Sequence, residues 1–441
     1  MLRAEKNTNH QPRTFIMDKN VNLPEEQIFF QSSPQGTPVI GIDLGSRKIR
    51  AVAGFINNQR KVDVLGMAET ESAGITRGLI TNADETANAI STVVDDVSLL
   101  SGAQVKEVFV SIPGSYTKRF TYTNSSARKN ADKPVSKEEL FELYDEMRDL
   151  ELQQGDEVIH FFPQKFLIDG KTVEEPVGKQ GKKLEVEMQV VTGNSEVARL
   201  IHQCLQKAGL QVASLIPGYV ASASANLSDN EKREGVALLD MGASATHVAV
   251  FRNGMLRYSA VIPFGSGSIT EDVKNGCLLL RNEAELLKVK SGYASAELVK
   301  KNEIATIPGK KGEPKEISVR NLAQIIQARM EEILDMAMLE VKNSGLEKEI
   351  KKIVLTGGGA QLKQLDAMVQ KHTGLAARIG YAVEHLSNGI DMEMRNPTNS
   401  TVIGLLLKGD EVLRCSLTEK EKKLTHAPAK ENMQNAKKIK Q

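Results

Sequence analysis

Two stretches of this chain carry the same hydrophobic pattern. At 39–43 a short apolar run (Val39, Ile40, Ile42) ends in Asp43, a turn of small and polar residues follows at 44–48, and a second apolar run resumes at 49–54. A polar turn at Asn57-Asn58 then precedes a third run at 62–65. The layout recurs about 200 residues later, where the run Val236, Ala237, Leu238, Leu239 ends in Asp240-Met241-Gly242, a small-residue turn follows, and a new apolar run occupies 248–251. Short apolar runs bounded by turn residues predict buried strands. Two copies in matched surroundings predict a duplicated α/β domain with a cleft between its halves.

Between and after the copies the periodicity changes. Ala83, Ala87, Ile90, Val94 and Val97 recur at helical spacing over 83–100, behind a cap at Asn82. A strand is expected at 106–112, ending at Pro113-Gly114. Residues 113–192 read as an inserted unit: an acidic helix at 136–151 with a Ser136/Glu139 capping box, then strands at 157–168 and 184–192. A helix follows at 195–208. Residues 270–330 are helix-rich and charged, and 321–343 form a long amphipathic helix. A strand at 351–356 runs into Gly357-Gly358-Gly359, with a helix at 361–371, and the last apolar helix begins at Ser400. Residues 1–37 are polar, rich in Asn and Gln, and are expected to be a flexible extension with local order around Phe29-Phe30; residues 409–441 are expected to be a basic, flexible tail.

With 441 residues and 40% hydrophobic content, the chain can build about two to four packed units with real cores. A formal net charge of +1 gives no general attraction to nucleic acid or anionic lipid. Aromatics at 4% and the absence of Trp argue against stacking platforms for RNA, so no nucleic-acid partner is expected. Cys204, Cys277 and Cys415 are widely spaced, which fits a reducing compartment rather than a disulfide framework or a cysteine zinc site. No run approaches the roughly 18 apolar residues of a membrane span.

The candidate chemistry is phosphate binding. Backbone N–H groups can approach phosphate oxygens closely only from short loops of small residues. Gly45-Ser46 and Gly242-Ala243-Ser244 meet that demand, and Gly357-Gly358-Gly359 offers a third close approach. Asp43 and Asp240, at the two strand ends, are placed to hold Mg²⁺ through water if the halves face each other. The P-loop pattern GxxxxGK[ST] is absent, and the seven histidines show no paired-ligand spacing. His247 draws interest only for its place in the second loop.

These three loops resemble the nucleotide-binding signature of the actin/Hsp70 ATPase superfamily and, within it, most closely the FtsA family, over about residues 39–408. The first loop looks like residues 41–48. Residues 72–80 resemble the FtsA segment before its first helix, and residues 175–191 the end of the FtsA-specific 1C subdomain. Glu285 and Lys288, within 284–292, match the E-x-x-K of the helix that supplies adenosine contacts; residues 353–360 match the adenosine loop, and 396–404 the closing segment. The resemblance implies an actin-like fold of two duplicated RNase H-like lobes with an inserted 1C (SHS2-type) subdomain. Subdomain 1A is then 38–112 with 193–234, 1C is 113–192, 2A is 235–269 with 331–408, and 2B is 270–330. It implies ATP and Mg²⁺ between the lobes, with Gly45, Ser46, Lys48, Gly242, Ala243, Ser244, Glu285, Lys288, Gly357, Gly358 and Gly359 on the nucleotide and Asp43 and Asp240 on the metal. It further implies self-assembly into actin-like filaments, binding of the FtsZ C-terminal tail through 2B (with Arg329 the candidate contact), other division-site partners, and a place on the inner face of the cytoplasmic membrane.

The chain departs from the family pattern in three places. The second loop usually reads Asp-x-Gly-Gly-Gly-Thr-Thr-Asp, whereas here Ala243 and Ser244 replace two glycines, Ala245 a hydroxyl and His247 the carboxylate. Ile216 precedes Pro217 where related ATPases often carry an acidic residue, and that loss weakens orientation of an attacking water. Slow or absent hydrolysis is therefore expected. The last eleven residues offer only Met433, Ala436 and Ile439 as apolar positions, a thin stripe for a membrane helix. Two other readings stay open: a PilM-like peptide-binding module, and a sugar-kinase-like ATPase, for which no catalytic Asp presents itself.

Overall fold

The structure, a computed structural model, describes residues 16–17, 38–300, 302–308, 314–387 and 392–425. Its first lobe begins with an antiparallel meander, β2 (Val39–Leu44), β3 (Lys48–Ile56) and β4 (Val62–Glu71). A small hairpin, β5 (Ile75–Thr76) with β6 (Leu79–Ile80), leads into α1 (Ala83–Ser101), whose first turn is capped by the Asn82 side chain. β7 (Glu107–Ile112) then lies parallel to β2, and β12 (Gln211–Pro217) parallel to β7, giving the order β12-β7-β2-β3-β4. The second lobe repeats this topology strand for strand. β13 (Val236–Met241), β14 (Thr246–Arg252) and β15 (Met255–Ile262) form the meander; β18 (Lys352–Thr356) and β19 (Ala376–Ile379) add in parallel, in the order β15-β14-β13-β18-β19. The two Asp-ending runs read from the sequence are thus equivalent strands, β2 and β13, at the centre of equivalent sheets.

The inner strands are buried on both faces, as their continuous apolar runs require: every residue of β13 is buried. In the first lobe α1 and α3 (Ser195–Lys207) cover one face, burying Ile90, Val93, Val97, Ile201 and Leu205. α4 (Gly218–Asn226) follows β12 of the first lobe yet joins a core with Leu238, Ala249 and Val354 of the second. α10 (Ser400–Thr425) follows the second lobe yet packs on Gly41 and Gly54 of the first. Each lobe therefore lends its closing helix to the other, and α4 and α10 cross between them. The second lobe is extended by α5 (Asp229–Glu234), α6 (Ser266–Cys277), α7 (Arg281–Ser291), the hairpin β16 (Ile304–Pro308) with β17 (Pro314–Ser318), α8 (Val319–Asn343) and α9 (Leu365–Thr373). The helix expected at 361–371 starts at Leu365, after a 3-10 turn at Gly358–Gln361 and a left-handed Gln364 at φ +61°.

The insertion leaves the first lobe after β7 and returns at α3. β8 (Thr117–Ala127), β9 (Asp156–Ile168) and β11 (Lys183–Asn194) form its sheet, with β10 (Lys171–Val173) on β9 and α2 (Lys137–Asp145) packed against one face behind the Ser136/Glu139 capping box. Two expectations are corrected. Residues 1–37 are not wholly an extension, for β1 (Ile16–Met17) pairs in parallel with β9; Phe29-Phe30 lies outside the described residues. Residues 409–441 are not all tail, for α10 continues to Thr425 because Val412 and Leu413 prolong its apolar stripe onto the inter-lobe core; residues 426–441 lie outside the described residues.

Candidate functional site

The ends of β2 and β13, one from each lobe, carry Asp43 and Asp240. The Ser111 hydroxyl, from β7, donates to Asp43 Oδ1 at 2.7 Å and accepts from the Leu44 N–H at 3.0 Å. In the second lobe the Ser222 hydroxyl, from α4, donates to Asp240 Oδ2 at 2.6 Å and lies 3.0 Å from Thr401 Oγ1 of α10. Each carboxylate is thus held by a hydroxyl from a neighbouring element. Burial pushes both acids above their ordinary range against the pull of those hydroxyls, and at Asp43 the negative charge of Asp240 adds to the rise. The charge of Asp240 is felt at Asp43, so the two strand ends paired by the sequence repeat lie in one neighbourhood.

The glycine loops surround this pair. In the first, the Gly45 carbonyl accepts the Ser72 hydroxyl at 2.5 Å, and Ser46 lies beside Gly78 of the β5–β6 hairpin. In the second, the Gly242 N–H closes the turn on the Ala245 carbonyl at 2.9 Å. The Gly242 and Ala243 carbonyls accept the N–H groups of Ser266 and Gly267 at 2.9 and 2.8 Å, so these carbonyls are turned onto the start of α6. In the third, Gly357 has φ +81° and packs on Asp240, where a Cβ would stand 2.6 Å from Oδ1. A Cβ on Gly359 would meet Met241 at 2.9 Å, and Gly358 faces more open space. Glycine at 357 is therefore required twice over, by backbone conformation and by close approach.

Glu285 and Lys288 sit one helical turn apart on α7. The Lys288 ammonium is buried, 2.8 Å from Glu285, and donates to Thr270 Oγ1 at 2.8 Å and to the Ser266 carbonyl at 2.9 Å; Thr270 in turn donates to Glu285. Burial draws Lys288 down despite its partner. Burial alone would raise Glu285, but Lys288, Thr270 and Arg47 outweigh it and hold the carboxyl below its usual range. Arg47 comes from the first loop and reaches Glu285 at 3.3 Å, so the E-x-x-K helix and the first lobe meet over the cleft.

Lys48, expected on the nucleotide, and Arg329, expected at the FtsZ contact, each have partners within the chain. The Lys48 ammonium pairs with Glu69 of β4, which Arg50 also engages at 2.9 Å. Arg329 on α8 is committed inside the protein: its guanidinium takes Asp272 of α6 at 2.6 and 3.0 Å, pairs with Glu332, and lies over the Phe264 ring. It staples α8 to α6.

The sequence undervalued His247. It is the cross-strand partner of Asp240, and its ring packs so closely on Gly114, where the insertion begins, that a Cβ there would stand 2.8 Å away. Its Nε2 is enclosed and makes no hydrogen bond, and burial pushes the ring down to about 4, leaving it neutral at physiological pH. Ser111 and Ser222 were missed altogether, and Thr401 was noted only as part of the closing segment; they come from β7, α4 and α10, and no spacing in the sequence links them to the aspartates. Among the described residues no cluster of three or more His, Cys, Asp or Glu forms a metal cage, and no helix is long and apolar enough to cross a membrane.

Comparison with known proteins agrees with this architecture. Residues 237–404 match the model for "Cell division protein FtsA", and residues 114–192 match that for "SHS2 domain inserted in FTSA"; together they span over half of the chain. Curated relatives described as cell division protein FtsA include that of Pseudomonas aeruginosa, 28% identical over 381 residues and covering 86% of this chain and 90% of the relative. That of Escherichia coli K12 is 26% identical over 398 residues, covering 88% and 94%. Among solved structures, a PilM–PilN type IV pilus biogenesis complex superposes with a TM-score of 0.62 at 14% identity, covering 85% of this chain and 99% of that one. The fold is actin-like, with an SHS2 domain inserted in its first lobe. The chain belongs to the FtsA family of cell division proteins.

Proposed function

We propose that this protein binds ATP with Mg²⁺ between its lobes and acts as a filament-forming adaptor that ties the FtsZ ring to the inner face of the cytoplasmic membrane and helps recruit other division proteins. The observation that carries the nucleotide reading is the facing pair Asp43 and Asp240. Two carboxylates withdrawn from water, each raised by that burial, form a site that a cation relieves. The donor set suits Mg²⁺, which takes one or two carboxylates and completes its shell with water and phosphate oxygens. Gly45, Ser46, Ala243 and Ser244 would offer backbone donors to the phosphates, in a second loop whose turn Gly242 closes on Ala245; Gly357, Gly358, Gly359, Glu285 and Lys288 would flank the place of the nucleoside. Bound Mg²⁺ would supply charge neutralisation on the phosphates.

Turnover is slow or absent in this reading. Hydrolysis needs a group that orients the attacking water. Ile216 is fully buried in the core, and His247 is a neutral ring where the family usually has a carboxylate. The protein then uses ATP as a structural ligand. The FtsZ tail is assigned to the 2B region of α6, α7 and α8 on family grounds, with Arg329 shaping that surface through its bridge to Asp272. The test is calorimetric titration of Mg-ATP into the full chain and into Asp240→Asn, alongside co-sedimentation of the chain with liposomes and FtsZ. Absence of ATP binding by the unmodified protein overturns the nucleotide reading; failure to bring FtsZ to the liposomes overturns the adaptor reading.

The likeness to PilM in a PilM–PilN complex favours a second reading, an actin-fold module that binds a pilus-assembly peptide. Retention of such a peptide but not of an FtsZ tail peptide on the immobilised protein would select it.

A further inference from the structure

The inserted sheet has an edge whose hydrogen-bonding groups are covered piece by piece. β9 pairs with β11 along one side for nearly its whole length. On the other side Phe166–Ile168 are taken by β10. Around Gln164 the second lobe supplies the cover: Arg257 Nη1 donates to the Gln164 carbonyl at 2.9 Å, and Gln164 Nε2 donates to the Leu256 carbonyl at 2.8 Å. The stretch His160–Phe161 is covered by β1, with Ile16 opposite His160 and Met17 opposite Phe161. Breaks of register on β9 fall between Val158 and His160 and between Pro163 and Lys165, so this stretch is set apart by an irregularity on each side. Such bulges re-aim or end a ladder, and Pro163 has no N–H to extend it.

We propose that the outer edge of β9 at His160–Phe161 is a strand-addition site, and that its resident is the chain's own N-terminal segment centred on Ile16–Met17. The segment's sequence suits the role. Phe15-Ile16-Met17 is an apolar triad between Arg13 and Asp18 in otherwise polar surroundings, and extended segments with few apolar anchors are what sheet edges accept. In sequence 20 residues separate the segment from Pro38, the first residue of the first lobe that the structure describes. Because it belongs to the same chain as β9, its pairing is intramolecular; a linked segment competes at an effective concentration on the order of a millimolar, so a two-residue pairing too weak to persist in trans persists in cis. The segment also shields backbone groups that would otherwise invite pairing with another chain. A partner presenting an extended apolar peptide reaches this edge only by displacing the segment, and at micromolar concentration an equally matched peptide loses by roughly a thousandfold.

The experiment compares the full chain with its Ile16→Pro/Met17→Pro variant, in which the segment can no longer donate to a ladder. Amide hydrogen exchange over 160–162 is expected to be at least tenfold faster in the variant, with the rest of the insertion unchanged. A labelled peptide of residues 11–21 is expected to bind the variant saturably and restore that protection, and to need about a thousandfold more peptide on the unmodified chain. Equal exchange in the two proteins overturns the proposal, as does a peptide that restores no protection. Protection in the unmodified chain that falls on dilution overturns the cis assignment and makes the strand a contribution from a second copy.

Discussion

Gly404 of α10 packs directly on Ala221 of α4: a Cβ on Gly404 would overlap the Ala221 carbonyl oxygen and stand 2.8 Å from its Cα. These are the two exchanged helices, so the contact pins one lobe to the other. Overpacking a filled interior costs about 1–3 kcal/mol when side chains can give way. Here the obstacle is backbone. Gly404→Ala is expected to lose about 3 kcal/mol and to lower the calorimetric unfolding midpoint by several degrees, and an unchanged midpoint would show that the helices do not meet here.

The pH dependence of stability follows from two part-buried histidines. Burial holds His247 and His385 at about 4, and at His385 the charges of Lys232 and Lys61 act in the same direction. Unfolded, both rings titrate near 6.5. As pH falls from 6.5 towards 4, the unfolded chain takes up two protons that the folded chain refuses, so stability declines across that window and levels off below it. Each ring contributes on the order of 3 kcal/mol, at about 1.36 kcal/mol per pH unit. Asp43 and Asp240 act oppositely, since their raised values favour the folded state as they protonate. The double variant His247→Asn/His385→Asn is expected to flatten the loss between pH 6.5 and 4.5, read from urea midpoints.

What the sequence made legible follows from how locally each feature is encoded. β2 and β13 announced themselves because each is a buried strand ending in Asp before a small-residue turn, a signal contained in seven residues. α4 did not: its sequence, GYVASASAN, is small and buried on nearly all sides, so it has no polar face to give a helical period. β8, half-exposed and rich in Thr and Ser, lacks the apolar alternation that marks a strand. The serines that hold the aspartates were invisible because Ser111 and Ser222 are brought to Asp43 and Asp240 by sheet order and by helix exchange, neither of which is written near them. Lys48 was placed on the nucleotide by resemblance, and what the residues could not say is that Glu69 stands across the ladder to take its charge.

Glu285 and Arg47 form one ion pair with two different fates on mutation. Glu285 neutralises the buried Lys288, so Glu285→Gln leaves that ammonium without its carboxylate and is expected to cost roughly 3 kcal/mol. The Arg47 side chain is 58% exposed, and removing it takes only a screened partner, for a change of about 0.5 kcal/mol or less. Chemical denaturation of the ligand-free protein checks both. Equal effects would mean that Lys288 is solvated, contrary to its enclosure by Thr270 and Ser266.

Asp240 sets stability against binding. Its carboxylate is withdrawn from water, raised by burial, and answered by one hydroxyl, from Ser222. Above its ordinary value of 3.8 the folded state therefore bears a cost for ionising it, a cost that grows with pH until the raised folded value is passed. Asp240→Asn removes the charge while keeping the shape and an acceptor for Ser222. The ligand-free variant is expected to be more stable than the unmodified protein at pH 7.5, with the difference narrowing as pH falls towards 4. If the same carboxylate helps hold Mg²⁺ at the phosphates, the variant also loses a charge-assisted contact of about 1.5–3 kcal/mol, or roughly 10- to 100-fold in affinity for Mg-ATP. The midpoint gained on adding Mg-ATP should then shrink in the variant, although its starting midpoint is higher. A variant that is stabilised without ligand and still gains the full increment with it would mean that Asp240 is a buried acid of the inter-lobe core, remote from any metal.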